Sequence, residues 1–102
     1  MTDHPTNGLS DVVHQKHRLG ILTIASESKR VEFGYLKDAL DLTGGNLSRH
    51  LTVLVDAGLL DMEKGYDGKR PKTWVSITRA GRTALAEEIA ALRALVDRLG
   101  SG

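Results

Sequence analysis

With 102 residues, 40% hydrophobic and 26% charged, the chain has the size and composition of one soluble globular domain rather than two. It contains no cysteine, which excludes a disulfide framework, a thiolate metal site and a cysteine nucleophile. The formal net charge of +1 says little as a sum, yet Lys64, Lys69, Arg70, Lys72, Arg79 and Arg82 stand close together, opposed within that stretch by Asp67 alone. A local basic stripe on a nearly neutral chain is an electrostatic footprint rather than general stickiness.

Met1 to Gly8 carries Pro5, Asn7 and Gly8 with no apolar period, and a flexible tail over 1–8 is expected. From Leu9 to about Ser26 the apolar residues fit a helix interrupted near His14 to His17. Leu19 with Leu22, and Ile21 with Ala25, give the spacing of a buried stripe. Val31-Glu32-Phe33 follows a charged turn and suits a short edge strand. Tyr35 to Leu40 is predicted as a short helix, with Asp41-Leu42-Thr43 as the turn after it. Thr43 is a good N-cap for a second helix running to about Ala57, and Gly58 stands where a left-handed C-cap is needed. Leu47, Leu51, Leu54 and Val55 mark the inner face of that helix.

Leu59 to Lys64 and Lys72 to Thr78 are predicted as two strands, joined by a turn-rich stretch from Gly65 to Pro71. Thr78 can cap a last helix from Arg79 to about Leu99. Leu85, Ile89, Leu92, Val96 and Leu99 recur there with a period of about 3.5 residues, the spacing that lets two helices pack side by side. The expected architecture is α+β, a winged helix-turn-helix with a long C-terminal dimerisation helix. Residues 9–78 would form the winged helix and 79–102 the C-terminal helix of the same domain.

The helix from Thr43 has the outer face of a major-groove reader. Base edges there show a distinct donor and acceptor pattern for each base pair. Arg49 can pair bidentately with guanine and Asn46 with adenine. Gly44 and Gly45 leave backbone N–H groups open at the helix start, where the dipole favours phosphate. Ser48, His50 and Thr52 add further contacts to base or phosphate. In the hairpin, Lys69 and Arg70 at the tip suit the negative potential of a narrow minor groove, and Lys64 and Lys72 at its base suit phosphate. The plainer alternatives are a solvated helix face and a charged tip that keeps a hairpin soluble.

His4, His14, His17 and His50 are the metal-ligand candidates besides carboxylates. Surface or helix-end histidines are the simpler reading, and no metal or cofactor is assigned. Trp74 is read as a structural plank on the wing strand. No catalytic constellation is present, so an enzyme is not expected. No apolar run approaches the ~20 residues of a membrane span, and a cytoplasmic protein with no membrane partner is expected.

Several stretches carry a family likeness: His17-Arg18-Leu19-Gly20-Ile21-Leu22, Gly45-Asn46-Leu47-Ser48-Arg49-His50-Leu51, Ala57-Gly58-Leu59-Leu60, Lys69-Arg70-Pro71-Lys72-Thr73-Trp74 and Ile77-Thr78-Arg79-Ala80-Gly81-Arg82. Over roughly residues 14 to 96 the chain resembles the short winged helix-turn-helix transcriptional regulators of the MarR/ArsR type. The resemblance implies a homodimer on double-stranded DNA. Thr43 to Ala57 would be the recognition helix, Gly65 to Lys72 the wing, and the terminal helix the dimer interface. Thiolate metal sensing is not carried over, because the cysteines are absent. No small-molecule effector is assigned. The competing expectation is a winged-helix protein-interaction module without specific DNA readout.

Overall fold

The computed structural model describes residues 10–100; the tail expected over residues 1–8 lies outside them. The elements run α1 (Lys16–Ser26), β1 (Val31–Glu32), α2 (Phe33–Ala39), α3 (Gly44–Asp56), β2 (Leu60–Asp67), β3 (Arg70–Ile77) and α4 (Arg79–Gly100). The three strands form an antiparallel sheet in the order β1-β3-β2, with β1 at an edge through Val31↔Val75 and Glu32↔Trp74. This is the winged helix that the chain order implied.

The first helix begins later than the apolar pattern suggested. Ser10 to His14 is a turn closed by His14 N–H donating to the Ser10 carbonyl at 2.6 Å. Gln15 then caps α1, its Oε1 accepting from the amides of His17 and Arg18 at 2.9 Å each. That side chain satisfies two of the orphan donors at the helix start.

Both helices of the helix-turn-helix end in the same way. After α3, Gly58 adopts φ +77°, and Leu59 N–H returns to the Leu54 carbonyl at 2.9 Å while Gly58 N–H bonds Val55. That pattern is the Schellman cap, which favours glycine at its left-handed position. After α2 the same two bonds form from Leu42 to Lys37 and from Asp41 to Asp38, with Asp41 at φ 52° in place of glycine. Aspartate is one of the few side chains that visit this region.

The hairpin is longer and its loop tighter than the sequence suggested. The register Asp67↔Arg70 leaves only Gly68 and Lys69 outside the ladder, with Gly68 at φ +66°, as a two-residue hairpin loop with glycine first requires. Gly65, Tyr66 and Pro71, expected in the turn, lie within the strands. Pro71 is tolerated because the pair closing such a loop exchanges both hydrogen bonds, so the next pair, Tyr66↔Pro71, needs no donor from it.

The core is aliphatic, as the scarcity of aromatics required. Ile21, Leu22, Leu36, Leu47, Leu51, Leu54 and Val75 are fully buried, drawn from α1, α2, α3 and β3. The cluster extends to Leu85 of α4. Thr78 ties the sheet to α4: its hydroxyl accepts from Gly81 N–H at 2.9 Å and donates to the Gly58 carbonyl at 2.7 Å.

Candidate nucleic-acid interface

α3 turns Leu47, Leu51 and Leu54 into the core and leaves Gly45, Asn46, Ser48, Arg49, Thr52 and Asp56 exposed. Thr43 caps the helix, its hydroxyl accepting from Asn46 N–H at 3.1 Å. Thr52 donates its hydroxyl to the Ser48 carbonyl at 2.9 Å, which leaves the oxygen free to accept. A side chain added at Gly44 or Gly45 would meet no heavy atom within 4 Å, so the start of α3 is open to close approach. Asp56 lies on the outer face near the C-terminal end. The expected reader set did not include it, and its carboxylate sets one end to any phosphate track along that face.

His50 stands apart from the other expected contacts. It is half-buried, with its ring 5.5 Å from that of His17 on α1. Its Nδ1 is buried without a hydrogen-bond partner. Its pKa is lowered from 6.5 first by burial and then by Arg18, His17 and Arg49, each change disfavouring the protonated ring. His14, three residues before His17, belongs to another cluster: its Nδ1 lies 2.5 Å from Oε2 of Glu88.

In the hairpin, Lys64, Lys69 and Arg70 are exposed, and no ion pair engages Lys69 or Arg70 among the described residues. Lys72 differs, because its ammonium pairs with Glu32 at 2.9 Å across to β1. It buttresses the root of the wing, with less freedom to reach a phosphate than the tip cations. Beside it the Arg30 guanidinium covers the Trp74 ring at 4.0 Å, so Trp74 is a plank with a cation stacked upon it. Nothing in the local sequence marked Arg30, since the pairing depends on the register that sets β1 beside β3.

The seam expected along α4 lies on one stripe of the helix, and only its N-terminal part packs on the chain's own core. Leu85, 6% exposed, belongs to the chain's own core. The inward row of α4 is Gly81, Leu85, Glu88 and Ala91, and Leu92 is half-buried. Ile89, Val96 and Leu99 follow on the same stripe, at 38%, 66% and 83% exposure. Glu88 was not singled out in the sequence, although it falls three residues after Leu85 on the same face. It is 1% exposed, and besides His14 it accepts from Ser10 N–H at 3.1 Å, so a buried carboxylate on α4 anchors the turn before α1.

Residues 17–96 match the family model described as a winged helix DNA-binding domain. The chain belongs to that family. An uncharacterized protein of Methanocaldococcus jannaschii is 39% identical over 72 residues, 71% of this chain and 78% of its own. A transcriptional regulator homologue from Pyrococcus horikoshii superposes with a TM-score of 0.82 at 33% identity, over 88% of this chain and 89% of its own. A MarR-family regulator from Silicibacter pomeroyi gives 0.68 at 25% identity, over 97% of this chain and 66% of its own. A riboflavin kinase of Haloquadratum walsbyi is 41% identical over 63 residues, 62% of this chain but only 25% of its own length, so the likeness is to one part of that enzyme. The winged helix described here is therefore of the MarR-like transcriptional-regulator kind. No helix among the described residues is long and apolar enough to cross a membrane.

Proposed function

We propose that this winged helix binds operator DNA as a homodimer, with α3 in the major groove and the hairpin tip on minor groove or phosphate. The observation that carries the reading is the outer face of α3. A capped helix presents Asn46, Ser48, Arg49 and Thr52 to solvent in place of burying them. The two side chains suited to bidentate base contact, Asn46 and Arg49, are both exposed. Lys69 and Arg70 supply cations at the tip, and no ion pair engages either among the described residues.

The second half of α4 supports the dimer. A helix of 22 residues is about 33 Å long, and the molecule extends 57 Å along its long axis against 24 and 22 Å across. Ile89, Val96 and Leu99 on that helix are exposed apolar side chains, and a two-fold partner would cover them by the same face. Two recognition helices would then meet half-sites about one helical turn apart, roughly 34 Å.

The test is a set of duplexes substituted one base pair at a time. Arg49→Ala is expected to flatten discrimination at one position per half-site, a loss of about 1–3 kcal/mol there. Lys69→Ala with Arg70→Ala is expected to weaken all duplexes evenly and to lower the salt dependence. Equal losses from Arg49→Ala on every duplex would refute base readout by α3 and favour an interaction module that touches only phosphate.

A further inference from the structure

We propose that His17 and His50 together form a further contact for the DNA backbone on the flank of α3, a paired-imidazole phosphate site that takes up a proton as DNA binds. The inference rests on the DNA-binding reading above and adds a site and a pH dependence to it.

The position follows from the dimensions of helix and groove. A major groove is about 12 Å wide, and a helix with its side chains is about 10–12 Å across. Side chains a quarter turn from the reading face therefore lie against the groove walls, which are the phosphate strands. His50 follows Arg49 and stands one turn beyond Asn46, on the flank where α1 crosses, with the His17 ring 5.5 Å away and tilted by 40°. The first turn of α1 thus brings a second imidazole to the same flank.

The charge around the pair selects the ligand. Two neighbouring imidazoles suggest a metal pair, but no group of three His, Cys, Asp or Glu suited to a metal occurs among the described residues. Arg18 and Arg49 both act on His50 as positive charges. Arg18 is held in place by its Nε and Nη2 donating to the carbonyls of Val12 at 2.6 Å and Asp11 at 3.1 Å, neutral acceptors that leave its charge intact. Such surroundings repel a metal cation and attract an oxyanion. The orphaned Nδ1 of His50 is a buried polar atom whose unmet hydrogen bond is a cost, with no partner among the described residues to offset it.

The proton follows from the same charges. In the free protein, burial and the positive charges of Arg18, His17 and Arg49 hold the ring neutral below its usual titration range. The other elements packed on α3 are α2 and β2, and none of their ionisable groups (Tyr35, Lys37 and Asp38; Asp61, Glu63, Lys64, Tyr66 and Asp67) is among the groups that shift it. A phosphate placed on the flank reverses the electrostatic part and favours the protonated His50 ring. The complex binds more protons than the free protein, so affinity rises as pH falls.

The experiment is fluorescence anisotropy with a labelled duplex from the upstream region of the protein's own gene, at about pH 6 and about pH 8 and constant ionic strength. Wild type, His17→Gln, His50→Gln and the Lys69→Ala/Arg70→Ala wing variant are compared. Wild type is expected to bind about fivefold more tightly at the lower pH. Each glutamine variant is expected to lose most of that difference, and the wing variant to keep it at lower affinity. Should His50→Gln disturb folding, His17→Gln, on the first turn of α1, carries the comparison. Imidazole C–H resonances followed by NMR provide a second readout, with the titration of His50 expected to move upward when DNA is added. An identical pH dependence in wild type and His17→Gln, or imidazole titrations unmoved by DNA, would overturn the phosphate site alone. Absence of duplex binding by wild type at both pH values would instead bring down the DNA-binding reading on which it rests.

Discussion

Gly81 has no space for even one methyl group. A Cβ there would stand 2.1 Å from the Leu59 carbonyl oxygen and 2.7 Å from a side-chain carbon of Ile77. The obstacle is backbone held by the Thr78 cap, so the junction of sheet and α4 cannot easily yield. Gly81→Ala is expected to cost about 1–3 kcal/mol, read as a lowered midpoint in urea; an unchanged midpoint would show that α4 can shift without penalty. His50 has a stability consequence of its own. Its folded-state pKa lies below 6.5, so the unfolded chain binds the proton more readily and stability falls as pH drops through the folded value. Thermal melts without DNA are expected to show a decline in Tm between about pH 7 and about pH 5 that is shallower in His50→Gln. Equal slopes would mean that this ring does not couple to folding. For the free protein acid is unfavourable, whereas for the proposed complex it is favourable, so the two effects are separable by adding DNA.

At the scale of elements, α3 begins with two glycines that nothing in the fold demands. Glycine in a helix is about 0.5–1 kcal/mol less stable than alanine, and Cβ atoms at Gly44 and Gly45 would point into open space. Gly45→Ala is therefore expected to raise the melting temperature and, if a DNA strand approaches the helix start closely, to weaken DNA binding. Higher stability with unchanged affinity would remove the start of α3 from the interface. The caps of these elements were legible in the sequence because capping is local: Thr43, Gly58 and Thr78 each act within a few residues of their position. The hairpin loop was less legible. Gly65 and Pro71 are turn formers by propensity, but the register that extends both strands to Asp67↔Arg70 is set by pairing along the whole ladder. The seam on α4 was legible as a period, but not in what covers it. Leu85 meets the chain's own core, whereas Ile89, Val96 and Leu99 on the same stripe stay exposed farther along α4. Glu88 lies on the inward row, and no pattern of apolar residues reveals a buried carboxylate whose partners come from Ser10 and His14, far away in the chain.

For the whole molecule, the question is what covers the far end of α4. Val96 and Leu99 are 66% and 83% exposed, and a second copy is the proposed cover. Val96→Asp with Leu99→Asp is expected to yield a folded monomer by sedimentation and to weaken operator binding by removing one of two linked contacts. A variant that remains a dimer would place the interface elsewhere on the chain. The architecture and the exposed polar face of α3 followed from periodicity and caps. The His17–His50 contact, the Arg30–Trp74 stack and the engagement of Lys72 by Glu32 did not, because each joins elements whose proximity only the folded chain defines. Sequence-specific binding of DNA is tested most directly by titration of the purified protein onto a labelled duplex from its own upstream region, against scrambled competitor, at two salt concentrations. The expected result is tight binding that resists the competitor and weakens steeply with salt, as release of counterions from several phosphates requires. Equal binding to both duplexes, however tight, would contradict it.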